Sequence, residues 1–314
     1  VNEIEAVGEG VWCVDTQQLR PRMAAAYLIE GDGRYAFVEC GTSLSVPRLL
    51  AALQAVGGRP EQVDWLLPTH VHLDHAGGTG ALAAALPNAR VAAHPRALRH
   101  LVDPGQLIAG AGAVYGAARL QAMYGEILPV AAERVVSAGD GFECALGGRR
   151  LRVIDAPGHA RHHLAVWDAA TAGWFTGDVF GLSYREFDGP RGPFLMPTTT
   201  PVQFDPPAWA RTLDRLLAVA PQRMYLTHYG VVESVAALAA SLRAQLDAYQ
   251  RIARDLARLP DRHHRLVEAL ADDALARLAQ QDAPLAPAAA RALLAMDLEL
   301  NAQGLEVWLD RHAA

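Results

Sequence analysis

The stretch Thr69-His70-Val71-His72-Leu73-Asp74-His75-Ala76-Gly77-Gly78, THVHLDHAGG, decides how the rest of the chain is read. It crowds three histidines and an aspartate together in a chain with only 12 histidines among 314 residues. The apolar run before it, VDWLLP, reads as a buried strand whose end delivers the cluster. Imidazole nitrogen and carboxylate oxygen are the donors that zinc and related cations take, and a catalytic site leaves one position open for water. Two histidines two apart can reach one ion from an extended loop, while Asp74 and His75 face a second ion beyond it. A lone H-x-H recurs by accident. H-x-H-x-D-H at the end of an apolar strand is far more specific.

Composition bounds the alternatives. Hydrophobic content of 51%, charged content of 20% and a net charge of -6 describe a globular chain with a substantial core. They argue against a nucleic-acid binder, which normally carries a basic excess. Cys13, Cys40 and Cys144 lie far apart without a C-x-x-C, which suits a reducing compartment and gives neither a disulfide framework nor a structural zinc motif. The start VNEIEAVGEGVW lacks the basic and apolar regions of a signal peptide. No apolar run approaches the roughly 20 residues that span a bilayer. The expectation is a cytoplasmic protein with a small-molecule substrate and neither a nucleic-acid nor a membrane partner.

Working outward, GVWCVDT, AAAYLIE and RYAFVEC read as strands, the last two joined at GDG as a hairpin. A helix is expected from Val46 to about Val56, and another over 77–86, with ARVAAH as a strand after it. Residues 95–130 form a helix-leaning insertion near a pocket entrance. Its glycines follow G-x-G-x-x-x-G without a preceding strand, so they make no dinucleotide fingerprint. Strands return from Arg134 and continue through HHLAVWD and AGWFTGD. PPAWARTLDRLLAVA is a helix, and RMYLTHYG a last short strand. Two successive halves of this kind predict two sheets packed together with helices outside. From 232 to 314 the chain turns rich in Ala, Leu and Arg, and three helices fit, with RHHRLVEALADDALARLA in the middle. The expected division is a catalytic domain over 1–231 and a helical extension over 232–314.

The strand ends supply more candidates. DAPGHA places His159 after a Pro-Gly turn, WFTGD ends with Asp178, and YLTHYG carries His228. Each sits where a buried strand gives way to a glycine turn. HVHLDH, PGH, TGD and LTHYG, in that order over roughly residues 10–232, resemble the metallo-β-lactamase-fold superfamily of metal-dependent hydrolases. The resemblance implies a four-layer αββα sandwich of two mixed sheets with outer helices and a binuclear site at the rim. It implies His70, His72 and His159 on the first ion, Asp74, His75 and His228 on the second, and Asp178 as the bridge. The bridging aspartate, with no cysteine near the motifs in sequence, places the chain nearer the glyoxalase II and lactonase branches than true β-lactamases. Many members carry Asp-x-Gly where this chain has VECG, so Glu39 takes the role of orienting a ligand. Where relatives continue PGH as Thr-x-Gly-His, this chain reads PGHARHH and keeps only His163.

The function that follows is hydrolysis of an ester-like carbonyl (thioester, lactone or ester) by hydroxide on two divalent ions, zinc foremost with iron or manganese possible on the same donors. Asp74 is the expected catalytic residue, handling the leaving-group proton. The alternative is an iron-dependent redox enzyme, a dioxygenase or di-iron protein, on the same fold. Tyr184, Arg185 and Phe194, in the irregular stretch after Asp178, are candidate substrate contacts. His94 and His100 read as surface or pocket-wall residues, and His263 and His264 as surface residues. The tail reads as packing or homodimer surface.

Overall fold

A computed structural model describes residues 4–312; residues 1–3 and 313–314, where the two expected domains begin and end and where the N-terminal VNE lies, fall outside the described residues. Ile4–Gly8 (β1), Val11–Asp15 (β2), Ala25–Gly31 (β3) and Arg34–Val38 (β4) form an antiparallel meander. The β3–β4 turn is Asp32-Gly33, both at positive φ (49° and 73°), which matches the twist of a two-residue hairpin. Val63–Leu67 (β5), Arg90–Ala93 (β6) and Val135–Ser137 (β7) then add in parallel, completing a seven-stranded sheet in sequence order. The second sheet has six strands: Glu143–Leu146 (β8), Arg149–Asp155 (β9), Leu164–Asp168 (β10), Gly173–Gly177 (β11), Arg223–Leu226 (β12) and Gly230–Val232 (β13). Only β11 and β12 pair in parallel there.

Strand alternation builds the layers. Tyr27, Val38 and Leu67 meet Val153, Phe175 and Tyr225 between the sheets. Their neighbours Leu28, Phe37 and Leu66 face outward under the helices Val46–Ala55 (α1) and Thr79–Ala85 (α3). Ile154, Trp174 and Met224 face the other way, under Pro206–Leu217 (α7) and the tail. This is the αββα sandwich. The parallel pairs β4–β5 and β11–β12 end at a common edge, as parallel neighbours must. Glu39, His70, Asp178 and His228 follow those ends and so gather at one rim.

Four local expectations need correction. Helix begins earlier than 77, with a single turn Leu73–Ala76 (α2) inside the histidine motif, before α3. The 95–130 insertion holds three helices, Leu98–Val102 (α4), Gly105–Tyr115 (α5) and Ala117–Tyr124 (α6). Leu120, Met123 and Tyr124 pack on Leu73, which sets the insertion over the motif. After His228 the chain makes one more strand, β13, by turning back on β12. The tail has four helices rather than three: Val235–Leu256 (α8), Arg262–Gln280 (α9), Pro287–Leu293 (α10) and Ala295–His312 (α11). Pro287 starts α10 where its missing N–H costs nothing, and Leu294 (ψ -1°) interrupts it before α11.

Leu242 and Tyr249 of α8, Leu266 and Leu270 of α9, and Leu305 of α11 share one apolar cluster with Trp174, Trp209 and Met224. His263 is held between Glu299 and Glu306 at 2.9 and 2.8 Å, joining α9 to α11. Among the described residues no helix is long and apolar enough to cross a membrane. Because Leu242 is fully buried in the shared cluster, Leu242→Ala should lower the urea-unfolding free energy by about 2–5 kcal/mol. A change within measurement error would mean that the tail contributes nothing to the common core.

Candidate metal centre

β5 stops at Leu67, and His70 and His72 lie on the bend that follows. His72 (φ -64°, ψ 148°) is the residue from which α2 starts, so Asp74 and His75 project from a helical turn rather than an extended loop. The paired glycines of the motif have a steric reason. A Cβ on Gly78 would lie 2.6 Å from the carbonyl oxygens of both Cys40 and Thr42. The Gly78 N–H donates to Gly41 O (2.8 Å) and the Cys40 N–H to His75 O (2.9 Å), tying the motif to the end of β4.

The side chains converge as two groups. His70 Nε2 lies 2.8 Å from His72 Nδ1, and His159 Nε2 3.1 Å from the same atom. Asp74 Oδ2 lies 3.5 Å from His75 Nε2 and 3.3 Å from His228 Nε2. Asp178 stands between them. Its Oδ1 is 3.2 Å from His75 Nε2 and 3.7 Å from His228 Nε2, while its Oδ2 is 3.4 Å from His159 Nε2. The trios His70/His72/His159 and Asp74/His75/His228 could each hold a cation, and Asp178 joins His70 and His75 in a third, overlapping trio.

The outward ring nitrogens of His70, His75, His159 and His228 are occupied, which fixes their tautomers through their partners. His159 Nδ1–H donates to Thr198 O (2.7 Å) and His228 Nδ1–H to Met23 O (2.9 Å). His75 Nδ1–H donates to Glu39 Oε1 (2.9 Å). The Thr69 hydroxyl donates to Glu39 Oε1 (2.6 Å) and is therefore left to accept from His70 Nδ1–H (3.1 Å). Four Nε2 atoms thus point inward. Glu39 also accepts from the Thr69 N–H (3.1 Å) and the Thr227 hydroxyl (2.9 Å), from a backbone at φ +67°. That conformation costs a non-glycine residue about 1–2 kcal/mol. On the other side, the Asp178 N–H donates to His163 Nε2 (3.1 Å). The glycine of TGD is required there, since a Cβ on Gly177 (φ +49°) would fall 2.4 Å from Thr69 Oγ1 and 2.6 Å from His163 Nε2.

Charge separates the two groups. Burial, then the neighbouring imidazoles, holds His70 and His72 well below the usual histidine range, so both are neutral at pH 7. His75 and His228 feel the same burial, but Asp178 and Asp74 outweigh it and raise both, His228 to about 9. The carboxyls of Asp74 and Asp178 are lowered despite burial, chiefly by His75, with His228 also acting on both. A proton on His75 or His228 answers the same negative field that a divalent cation would. His75 Nε2 and Asp178 Oδ1 are also buried without a hydrogen-bond partner. Buried polar atoms rarely go unpaired, and a cation between these two would satisfy both. The donor set fits divalent metal.

The remaining candidates divide. Phe194 is a core residue packed on Phe187 (ring centroids 5.6 Å), which corrects its expected place on a pocket wall. Tyr184 is likewise buried, its hydroxyl 3.1 Å from Asp297 Oδ1. Arg185 donates to Ser183 O (2.8 Å), anchoring its own loop. His94 is buried and lies 3.2 Å from Asp155, and His100 is half-buried. Cys40 follows Glu39 in the chain, and its buried thiol is pushed up to about 12 by burial despite a hydrogen bond with Thr79. Sequence reasoning missed Met23, which acts through its backbone carbonyl and leaves no side-chain signal, and Thr198, whose carbonyl and hydroxyl both meet His159 Nδ1. It also missed Tyr115 and Tyr124 of the insertion, whose phenols are raised by burial and then by the charge of Asp74.

Comparison with known proteins agrees with this architecture. The sequence model of the metallo-beta-lactamase superfamily matches residues 19–228. A metallo-beta-lactamase fold-containing protein of Sulfurisphaera tokodaii is 28% identical over 216 residues, 68% of this chain and 75% of that one. The hydroxyacylglutathione hydrolase of Acidiphilium cryptum is 31% identical over 205 residues, 64% of this chain and 62% of that enzyme. That of Stenotrophomonas maltophilia is 31% identical over 164 residues, 48% of its length, so the chain spans less than two thirds of either hydrolase. Among solved structures, an archaeal metallo-beta-lactamase superfamily protein from Sulfolobus tokodaii superposes with a TM-score of 0.64 at 22% identity, over 97% of this chain and 98% of that one. A family member from Thermus thermophilus gives 0.63 at 20% identity, over 97% and 94%. With the family match running from the β-meander to His228, the chain belongs to the metallo-beta-lactamase superfamily.

Proposed function

We propose that this protein is a binuclear metal-dependent hydrolase acting on an ester-like carbonyl. The observation that carries this reading is Asp178, a buried carboxylate with one oxygen toward His75 and His228 and the other toward His159. One side chain facing two donor groups is what a bridged pair of cations needs. His70, His72 and His159 would hold one, Asp74, His75 and His228 the other. When bound, such cations, zinc or else iron or manganese, lower the pKa of water to about 7 and polarise the substrate carbonyl. The names of the hydroxyacylglutathione hydrolases put thioesters first among substrates to test, with lactones and simple esters next.

The chain's own residues account for the rest. Asp74 meets both imidazoles through Oδ2 and keeps 23% of its side chain accessible, so it can carry a proton between the site and solvent. Its lowered pKa keeps it ionised at neutral pH, the form in which a carboxylate binds a cation. No thiol is available as a competing nucleophile. Cys13, Cys40 and Cys144 are all buried, and burial pushes each up to about 12. With no thiol competing, the nucleophile in this reading is water, without an acyl-enzyme.

Replacing Asp178 by Ala should lower bound zinc from two per chain toward one and cut thioester or lactone hydrolysis by about 100-fold or more, beyond what loss of a ligand-orienting partner costs. Metal analysis that found two tightly held ions in the variant would show the bridge to be misassigned. In oxygen-18 water a single turnover should label the product carboxylate and not the protein. The rate should be the same without dioxygen, whereas an absolute oxygen requirement would favour the iron-dependent redox reading.

The electrostatics predict a pH profile for the metal-free protein. His70, His72, His159 and His163 are lowered by burial, so the unfolded chain takes up protons that they refuse below about pH 6.5. Stability therefore falls as pH drops through that value. His75 and His228 are raised, so what they contribute is complete below pH 6.5 and is lost as pH rises, for His228 as it passes about 9. Scanning calorimetry after chelation should show the highest Tm near neutrality, declining on both sides, and a flat profile from pH 5 to 9 would contradict these charge states.

A further inference from the structure

His159 takes its orientation from a loop that has no regular secondary structure of its own. Its Nδ1–H donates to the carbonyl of Thr198 (2.7 Å), and residues 197–200 lie outside every strand and helix. No ladder of hydrogen bonds holds the Thr198 peptide. The Thr198 hydroxyl reaches Asp178 O (3.3 Å) and lies 3.1 Å from His159 Nδ1, and the peptides on either side are gripped by a side chain from the far end of the chain. Asn301, on α11, donates from Nδ2 to Pro197 O (3.0 Å) and accepts at Oδ1 from the Thr199 N–H (2.6 Å). The Thr199 hydroxyl closes the contact by donating to Asn301 O (3.1 Å). Asn301 is 1% exposed and Thr199 fully buried.

We propose that Asn301 is a positioning residue for the metal centre, fixing the Thr198 carbonyl and through it the imidazole of His159. One primary amide grips the chain on both sides of Thr198, matching a donor to a C=O and an acceptor to an N–H. Neither peptide flanking Thr198 can turn without breaking one of those bonds. The helix lies directly on the loop at this point. Gly304 is less than one turn beyond Asn301, and a Cβ there would fall 1.4 Å from Thr199 O. No other side chain would allow that approach, so amide and glycine together seat α11 against residues 197–200. The tail thereby takes part in building the three-imidazole group, although the superfamily match ends at residue 228.

A buried asparagine could instead serve stability alone, and Gln245 is the built-in control for that. It is equally buried, at 1% exposure, lies on α8, and donates from Nε2 to Leu195 O (2.7 Å). It ties the same excursion to the same tail but does not flank Thr198.

The inference rests on the metal-centre reading, and the test separates the two. Stepwise zinc affinities are measured by chelator competition on wild type, Asn301→Leu and Gln245→Leu, with the visible spectrum of the cobalt-loaded proteins as a second readout. One of the two stepwise constants should weaken about 10–100-fold in Asn301→Leu, the range found when a ligand-orienting partner is lost. The other constant should stay within about twofold of wild type, and the cobalt spectrum should shift. Gln245→Leu should lower Tm but leave both constants and the spectrum alone. If Asn301→Leu does not fold, Thr199→Ala, which keeps the N–H to Oδ1 and removes only the hydroxyl, should show the same single-site weakening at several-fold. Wild type binding no zinc would sink the metal-centre reading itself. Zinc-binding wild type with unchanged constants in the folded Asn301 or Thr199 variant, or equal losses in Gln245→Leu, would overturn the positioning role.

Discussion

One carboxylate joins the ends of both sheets. Glu39 follows β4, Thr69 follows β5, His75 sits on α2, and Thr227 follows β12 of the opposite sheet; all three partners donate to Glu39. Sheet packing by apolar contact is tolerant of small slides, because the hydrophobic effect has no direction. Hydrogen bonds to one buried charge are not tolerant, and those to an ionised acceptor are among the strongest in a fold. The left-handed backbone at Glu39 aims the carboxylate into the rim. The register between the sheets, and with it the distance from the histidine motif to His228, is set there.

From this fixed point the rim becomes a place where burial and charge oppose each other. Asp178 and the imidazole of His75 are almost wholly buried, where unpaired charge is expensive. The protein answers with geometry: carboxylates on one side, neutral imidazoles on the other, and every outward ring nitrogen named above tied to an acceptor. Those acceptors come from widely separated parts of the chain, from Met23 before β3 to Thr198 beside the tail. The centre is therefore a property of the whole sandwich and not of its motifs alone.

How much of this the sequence discloses depends on whether side chains or backbone carry the information. THVHLDH, PGH, TGD and LTHYG announced the residues that converge, because each puts a polar side chain at the end of an apolar strand. Two successive halves of strands and helices announced the layers, and the GDG turn its hairpin. Glu39 was legible for the same reason as the histidines. The carbonyls of Met23 and Thr198 were not, since any residue type supplies a carbonyl. Phe194 misled because an aromatic in an irregular stretch looks like a pocket wall until the neighbouring helices are in place to bury it. The fourth tail helix was hidden by a break only one residue long, at Leu294, where the apolar spacing runs on without interruption.

The three cysteines give the molecule an unusual chemical silence. Cys13 and Cys144 lie in the layer between the sheets, and Cys40 beneath the first helices. Oxidants and electrophiles attack the thiolate, and they need access to it. Neither is provided while the sandwich is closed. Each thiol becomes reactive only when the layer covering it opens. Cys13 and Cys144 would register separation of the sheets, and Cys40 the lifting of the histidine motif from β4. The chain thus carries clocks for two different openings, timed by the rate at which a thiol reagent is consumed.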